Sequence, residues 1–229
     1  MPVPGAVVAL FLVSATVAVT AALAGRRTVL AVAKPLTTLL LFPVIGWPRT
    51  PEVLWVVAGL ALCLGGDVAL LGTGKRAFMA GLILFLLGHL AYIAGFVTAT
   101  VRASSGPGLP LAPMIAAAVV VGISTALLLR RLWPGTGDLR IPVLIYGVVI
   151  SVMVIAAVGA VAARPELPLS LPLGLQPAAA VGAILFYVSD AALALSLFHR
   201  PFRWSPLLTL GVYWLGQLGI AMAARLANG

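Results

Sequence analysis

Two segments, ALCLGGDVALL at residues 61–71 and ILFYVSDAALAL at residues 184–195, each place an aspartate inside a long apolar run. Runs of this kind are typical of helices that cross the hydrocarbon core of a membrane. A carboxylate at the centre of such a helix costs about 2.5–3.5 kcal/mol on insertion scales. The chain has only five acidic residues, so two of them in apolar helices make Asp67 and Asp190 the first candidates for a functional site.

The composition is that of an integral membrane protein. The chain has 229 residues, of which 62% are hydrophobic and 8% are charged, with a mean hydropathy of +1.19. Soluble domains carry about 25% charged residues. The apolar runs are continuous rather than alternating, which argues against a β-barrel. We therefore expect an all-α, polytopic membrane protein whose residues 1–229 form a single eight-span transmembrane domain.

The eight predicted spans are separated by short segments rich in Gly, Pro and Arg. Residues 1–24 lack a basic start and are followed at once by Arg26 and Arg27, so they are interpreted as a first span rather than a cleaved signal. The spans are predicted at residues 4–24, 29–46, 52–72, 77–99, 110–130, 140–162, 177–198 and 204–226.

Basic residues in the connecting loops predict the orientation. Most of them fall in the first, third, fifth and seventh loops: Arg26, Arg27, Lys75, Arg76, Arg130, Arg131, Arg140, Arg200 and Arg203. The other three loops hold Arg49, Arg102 and Arg164. Because positive residues stay on the cytoplasmic side, we expect a multi-pass cell-membrane protein with both termini on the non-cytoplasmic side. The same rule explains the net charge of +9 without a nucleic acid partner.

Several polar residues are predicted to lie at a similar depth in the membrane. Asp67 lies five residues and Asp190 eight residues before the cytoplasmic ends of their predicted spans. At 1.5 Å per residue both lie about 7–12 Å below that boundary. Lys34 and Tyr146 fall at a similar depth, and His89 is somewhat deeper. This shared level predicts a pocket that opens towards the cytoplasmic leaflet.

The two aspartate segments are compatible with an internal repeat. Asp67 begins DVAL and Asp190 begins DAAL, and Gly88 and Gly211 each follow their aspartate by 21 positions. An offset of four spans would give a 4+4 parallel repeat related by an axis along the membrane normal. Such a repeat would bring the two aspartates to equivalent places around one centre.

Lys34 and His89 each have a functional and a structural interpretation. Lys34, just before Pro35, would supply a fixed positive charge beside an aspartate, or it snorkels to the membrane surface. His89 would act as a proton shuttle, a metal ligand or a hydrogen-bonded core residue, and it shares a helix face with Tyr92. Glycines repeat every seven residues in spans 3 and 4, which predicts that these spans pack closely and carry Asp67 and His89 towards each other.

The last two spans carry further polar side chains. Tyr187 and Ser189 accompany Asp190 in span 7, and Tyr213 and Gln217 lie four residues apart in span 8. The alternative to a functional role is hydrogen bonding between helices. No nucleotide-binding loop, serine-hydrolase elbow, zinc-protease helix or paired-cysteine motif is present, which excludes most familiar enzyme classes.

Six of these segments, in this order and spacing, carry a resemblance to a known family. They are KPLTTLLL (34–41), LGGDVALL (64–71), FLLGHLAYI (85–93), IPVLIYGVVISVM (141–153), LFYVSDAALAL (185–195) and VYWLGQLGIA (212–221). Together they resemble the YhhN-like lysoplasmalogenase family over residues 30–221. Members of that family are multi-span hydrolases that cleave the vinyl ether bond of lysoplasmalogens to a fatty aldehyde and a glycerophospho-base, without a cofactor.

The resemblance implies a site for a lysophospholipid drawn from the bilayer. It is built around Asp67 and Asp190, with Lys34, His89, Tyr146, Tyr187, Ser189, Tyr213 and Gln217 nearby, and our own interpretation adds Tyr92. A vinyl ether hydrolyses by protonation of its β-carbon to give an oxocarbenium ion, to which water adds. This requires a carboxylic acid that keeps its proton and an anion that stabilises the cation, as in the carboxyl pairs of glycosidases.

The residues leave three alternatives open. A different lipid hydrolase would hold zinc through His89, Ser189 and the aspartates. A proton-coupled transporter would use the buried Asp, Lys and His as a relay. Such transporters have paired helix breaks near the midplane, whereas here only Pro35 and Pro142 are interpreted as lying near span interiors, and neither is at the midplane. A purely structural partner protein is the third alternative.

Overall fold

The computed structural model describes residues 5–103, 109–163 and 177–228. These residues form nine α-helices and contain no strand. The helices are α1 (Gly5–Leu23), α2 (Arg27–Leu39), α3 (Leu41–Ile45), α4 (Pro51–Ala69), α5 (Lys75–Ala103), α6 (Leu111–Leu132), α7 (Arg140–Ala162), α8 (Ala178–Phe198) and α9 (Val212–Ala227). With α2 and α3 counted together, eight segments are long and apolar enough to cross a membrane. The predicted fold class is therefore confirmed.

With α2 and α3 counted together, most predicted span boundaries agree with these helices to within four residues, and α5 continues to Ala103, four residues beyond its predicted end. The exception is α9, which begins at Val212 rather than at residue 204, because a separate turn, Leu207–Gly211, precedes it. The predicted loop at residues 164–172, including Arg164, lies outside the described residues. Two short 3-10 turns, Trp133–Gly135 and Gly137–Leu139, join α6 to α7.

The second span is interrupted at Leu40, where α2 ends and α3 begins. Pro43 explains the break, because it has no N–H to donate to the carbonyl of Leu39 one turn earlier. Pro35 lies inside α2 without ending it. Only Pro35 and Pro142 were expected near span interiors, and the effect of Pro43, which lies in α3 just beyond α2, was not predicted.

The last span begins with a π-helical turn, Leu207–Gly211, before α9. A π turn widens the backbone, and such turns occur frequently at functional sites. The carbonyl of Thr209 in this turn accepts the hydroxyl of Ser189 at 2.8 Å. The turn therefore ties the start of the last span to the segment of α8 that carries Asp190.

Glycines bring two helix pairs into close contact. At the α4–α5 seam, a Cβ on Gly59 would lie 2.6 Å from the Tyr92 ring, and one on Gly66 would lie 2.7 Å from the Phe85 ring. The predicted packing of these two spans is therefore present. At the α8–α9 seam, a Cβ on Gly216 would lie 2.8 Å from the carbonyl oxygen of Gly182. Both seams position helices that carry aspartates or their partners.

The helices surround one continuous apolar core, to which α6 contributes least. Only 11% of the most apolar stretch of α6 is buried inside the bundle. The pairing of α4 with α5 resembles that of α8 with α9 in using glycine contacts. This likeness does not confirm the 4+4 repeat, which stays a prediction. The single domain over residues 1–229 also stays a prediction.

Candidate active site

Asp67 is fully buried on α4 and has a partner for each carboxylate oxygen. Lys34 on α2 places its Nζ 3.4 Å from Oδ1. The hydroxyl of Thr38, one turn further along α2, donates to Oδ2 at 2.5 Å, and that of Tyr213 on α9 donates to the same oxygen at 3.0 Å. Lys34 is itself 7% exposed, so its side chain does not snorkel to the surface. Three donors from two neighbouring helices therefore converge on one carboxylate.

A chain of hydrogen bonds extends from Asp67 into the core. The amide of Gln217 donates to the Tyr213 hydroxyl at 3.3 Å, and the hydroxyl of Tyr92 donates to the Gln217 side-chain oxygen at 2.6 Å. The indole of Trp214 donates to Thr38 at 3.1 Å. All five of these side chains are buried. The network links α2, α4, α5 and α9 and fixes the orientation of the Asp67 donors.

Asp190 on α8 has different neighbours. The hydroxyl of Tyr146 on α7 donates to its Oδ2 at 2.5 Å, and Nε2 of His89 on α5 lies 3.7 Å from the same oxygen. No lysine or arginine of the described ranges lies within ion-pair distance of this carboxylate. The Asp190 side chain is 14% exposed, against 1% for Asp67. Asp190 is thus the more open carboxylate and the one without a lysine partner.

His89 is completely buried and lies beside Asp190 rather than in the Asp67 network. Its ring packs edge-on against Phe186 at 4.7 Å and Tyr146 at 5.2 Å between centroids. Neither ring nitrogen has a hydrogen-bond partner in the part of the chain that the structure describes. The close packing of α4 and α5, which was expected to carry Asp67 and His89 towards each other, leaves the His89 ring nearest to the Asp190 carboxylate. His89 and Tyr92, although they share a helix face, join different carboxylate networks.

Phe186 separates the two networks. Its ring contacts Tyr213 on the Asp67 side, with 5.0 Å between centroids, and His89 on the Asp190 side. It is fully buried. An apolar ring between two polar clusters lowers the local polarity, which strengthens the electrostatic interactions on both sides.

Both aspartates line one cavity of about 150 Å³. Its polar wall also includes Lys34, Tyr146, Tyr187, Ser189, Tyr213, Thr125 and Thr209. Apolar side chains form most of the remaining wall: Leu70, Phe78, Leu82, Phe85, Leu128, Leu129, Leu132, Val143, Ile150, Leu193, Leu197 and Phe198 are among them. The cavity reaches residues near the start of α5 and the ends of α6 and α8. It therefore runs from the carboxylates towards the end of the bundle that carries Lys75, Arg131 and Arg200.

Two predicted site residues line the cavity with hydroxyls that are already bonded. Ser189 donates to the backbone of the π turn. Tyr187 shares a hydrogen bond with Thr125 at 3.0 Å, and Thr125 shares another with Ser151 at 2.8 Å. Neither hydroxyl bonds to a carboxylate. These contacts connect α8 to α6 and α7, as the interpretation of hydrogen bonding between helices expects.

Three further residues of the site, Thr38, Trp214 and Thr125, were not predicted from the sequence. Thr38 lies four residues after Lys34, which places the two on one face of α2, and that spacing was a usable signal. Trp214 is a tryptophan in mid-span rather than at a membrane interface, and it adjoins Tyr213. Thr125 has no comparable signal, because its role depends on how α6 packs against α7 and α8.

The described residues contain no group of three or more His, Cys, Asp or Glu side chains that would hold a metal ion. Zinc sites need three or four such ligands. The zinc-dependent alternative therefore lacks a ligand set in that part of the chain.

Comparison with known proteins establishes the family. The model of the YhhN family matches residues 29–224, most of the chain. The chain belongs to the YhhN family. The predicted resemblance is therefore confirmed over the whole of its predicted range, residues 30–221.

Several curated relatives carry the name lysoplasmalogenase. The Mycobacterium bovis and Mycobacterium tuberculosis proteins of that name are each 32% identical over 166 residues, covering 71% of this chain and 57% of theirs. Lysoplasmalogenase TMEM86B of Rattus norvegicus is 27% identical over 199 residues, covering 86% of this chain and 72% of its own. The chain thus aligns with little more than half the length of the mycobacterial relatives. No solved structure matches it.

The ion pair between Lys34 and Asp67 predicts a stability effect. Lys34→Met leaves a buried carboxylate without its cation, and breaking a buried pair in this way costs about 3–5 kcal/mol. We expect a marked fall in the apparent melting temperature of the purified protein in detergent. The double variant Lys34→Met/Asp67→Asn removes both charges and should recover much of the loss. A single variant as stable as the wild type would contradict an ionic contact at this position.

Proposed function

We propose that this protein is a lysoplasmalogenase that hydrolyses the vinyl ether bond of lysoplasmalogens. The observation that carries the proposal is that Asp67 and Asp190, from α4 and α8, line one largely apolar cavity inside the helix bundle. Membership of the YhhN family and the names of its curated relatives support the same activity. The products are a fatty aldehyde and glycerophosphoethanolamine or glycerophosphocholine.

The neighbours of the two carboxylates suggest different roles for them. Asp67 receives a lysine and two hydroxyl donors, and such partners favour a negatively charged carboxylate. Asp190 lies among Tyr146, His89 and apolar side chains, without a lysine or arginine partner in the described ranges. In such surroundings a carboxyl group favours its neutral, protonated form. We assign Asp190 as the acid and Asp67 as the carboxylate.

The assigned roles perform the reaction in balanced steps. The Asp190 carboxyl gives its proton to the β-carbon of the vinyl ether, and the oxocarbenium ion that forms is stabilised by the negative charge of Asp67. Water adds to the cationic carbon and releases a proton to Asp190, which restores the acid and gives a hemiacetal. Asp190 then protonates the glycerol oxygen as the C–O bond breaks, while Asp67 accepts the hemiacetal hydroxyl proton and returns it to Asp190. One water is consumed, and aldehyde and alcohol leave.

The apolar wall of the cavity suits the part of the alkenyl chain next to the vinyl ether. A vinyl ether lipid has a long apolar chain, and leucine and phenylalanine side chains form most of the cavity wall. Burial of each CH₂ group of such a chain contributes about 0.8 kcal/mol. Hydrolysis by this route uses water and side-chain carboxyls, so the proposal includes no cofactor.

The arrangement of helix breaks gives little support to the proton-coupled transporter. The second span is broken at Leu40, but the span that the predicted repeat pairs with it, α7, is continuous from Arg140 to Ala162. Paired breaks at the midplane are the feature expected of such transporters. The hydrolase is therefore the function that we carry forward.

An aldehyde-release assay with 1-alkenyl lysophosphatidylethanolamine tests the catalytic assignment. Asp67→Asn and Asp190→Asn should each lower kcat by about 100-fold or more, because a positioned acid or base contributes roughly 10²–10⁴-fold. The matched control is Asp138→Asn, which alters a carboxylate exposed on the surface and paired with Lys75 at 3.7 Å. It should retain full activity.

Folding of each variant is checked by its elution as a single species in detergent. If both buried variants fold and still release aldehyde at the rate of the wild type, the assignment fails. If the wild type releases none, the proposed activity itself fails.

The proposal includes the orientation of the site, with its cavity opening towards the cytoplasmic leaflet and both termini outside. The bundle end reached by the cavity carries most of the basic loop residues, and such residues remain in the cytoplasm. Cys63 is buried and is the only cysteine, so single introduced cysteines report exposure cleanly.

A membrane-impermeant maleimide tests this orientation in intact cells. Trp47→Cys lies in the connection between α3 and α4, and Trp47 is 84% exposed. Asp138→Cys lies at the opposite end, where the Asp138 side chain is 92% exposed. We expect labelling of Trp47→Cys in intact cells and of Asp138→Cys only after lysis. The reverse pattern would place the cavity on the outer side.

A further inference from the structure

A second hollow lies beside the cavity, between the ends of α6 and α8. We call it the basic groove; its rim is formed by Arg130, Arg131, His199 and Arg200, and its floor includes Leu128 and Leu195. Leu128 also lines the catalytic cavity. One leucine side chain therefore borders both spaces, and the groove adjoins the mouth of the cavity.

The three arginines of the groove have no carboxylate partner in the described residues. Other basic residues at the same end of the bundle do have partners. Lys75 pairs with Asp138, and Arg203 lies 5.2 Å from the Trp204 ring centroid. The guanidinium groups of the groove thus keep donors for an anion, and a guanidinium fork binds phosphate oxygens in pairs.

The spacing between the groove and the carboxylates matches the length of a lysophospholipid. Phe198, at the end of α8, is eight residues beyond Asp190, which is about 12 Å along the helix axis. In the substrate, five bonds separate the vinyl ether oxygen from phosphorus, about 6 Å at the ~1.2 Å per bond of an extended chain. The arginine side chain extends a similar ~6–7 Å from its Cα. The substrate segment and the arginine side chain together are long enough to span the distance of about 12 Å between Asp190 and the end of α8.

The groove and the cavity offer separate surfaces to the polar and apolar parts of the substrate. The groove has a cationic rim around a leucine floor, and most of the cavity wall is apolar. In a lysophospholipid the glycerol joins the phosphate to the vinyl ether and the alkenyl chain begins at the vinyl ether, so a phosphate in the groove leaves the apolar wall for that chain.

We propose that the basic groove binds the phosphate of the lysophospholipid headgroup, so that glycerol passes Leu128 and the vinyl ether reaches the two aspartates. This inference rests on the proposed lysoplasmalogenase function and adds the residues that select a phosphate-bearing lipid. The groove acts in binding, and its arginines take no part in proton transfer.

Two substrates separate recognition of phosphate from catalysis. One is 1-alkenyl lysophosphatidylethanolamine, and the other is the matching 1-alkenylglycerol, which lacks phosphate; both are presented in the same nonionic detergent micelles. The test variant is Arg130→Gln/Arg200→Gln. The matched control is Arg26→Gln/Arg27→Gln, which removes the same charge from exposed residues of another loop predicted on the same membrane side.

We expect the wild type to have a kcat/KM at least about tenfold higher for the phosphate-bearing lipid, as one charge-assisted hydrogen bond provides. The test variant should lose this preference through a higher KM, with its rate on alkenylglycerol unchanged, and the control should keep it. A test variant that keeps the preference, or a wild type without one, overturns the inference.

A binding measurement makes the inference independent of turnover. The ligands are the saturated analogue 1-alkyl lysophosphatidylethanolamine and 1-alkylglycerol, measured with the same three proteins. If the wild type releases no aldehyde, the proposed function fails, while tighter binding of the phosphate-bearing ligand that is lost only in the test variant still supports the groove. Inorganic phosphate serves as competitor: displacement of the lipid by low millimolar phosphate would assign the groove to a free anion and overturn the lipid assignment.

Discussion

The ion pair between Lys34 and Asp67 is the interaction on which the arrangement of the site depends. A carboxylate in the interior of an apolar bundle is stable only when its charge and its lone pairs have partners. Lys34 and Thr38 bring α2 to Asp67, and Tyr213 brings α9. Trp214 donates a hydrogen bond to Thr38, and Gln217 donates one to Tyr213. The first half of the chain and its last helix are thereby joined around one charge.

Close helix packing makes this polar cluster possible. Glycines in α4 and α5 remove side chains from the seam, and the space is taken by the rings of Tyr92 and Phe85. Tyr92 then reaches Gln217, and Phe85 lies against Tyr213 at 5.8 Å between centroids. Larger residues at these glycines would move the helices apart and separate the donors from Asp67. Residues outside the site therefore determine its geometry.

The two carboxylates differ in their surroundings, and this difference gives the site its proposed chemistry. Asp67 is held by donors of one network, whereas Asp190 faces the cavity beside Tyr146 and the buried ring of His89. Phe186 stands between the two groups. Acid catalysis on a vinyl ether needs a proton donor and a nearby anion, and two carboxyl groups in unlike environments provide both.

Hydropathy and charge predicted most of the fold. The eight spans were readable because the bilayer demands long apolar runs, and the aspartates stood out because charges are so costly there. The break at Leu40 was missed because Pro43 lies near the end of its predicted span, where proline is less unexpected. The π turn before α9 gave no pattern of its own.

The contacts between the residues of the site were harder to predict than the identity of those residues. Spacing along α5 placed His89 and Tyr92 on one face, but helix periodicity does not say which neighbour each side chain meets. The structure divides them between Asp190 and Gln217. Thr38 was visible in the quoted segment around Lys34, yet a threonine in a membrane helix usually bonds to its own backbone. Only the packing of α2 against α4 distinguishes the two cases.

Infrared difference spectroscopy of the purified protein reports which carboxyl group carries a proton, and it therefore tests the assignment of Asp190 as the acid and Asp67 as the carboxylate. The C=O stretch of a protonated carboxyl is compared near neutral pH between the wild type and the two single Asp→Asn variants. We expect a band that disappears in Asp190→Asn and persists in Asp67→Asn. A band that disappears in Asp67→Asn instead, or in neither variant, would contradict this assignment.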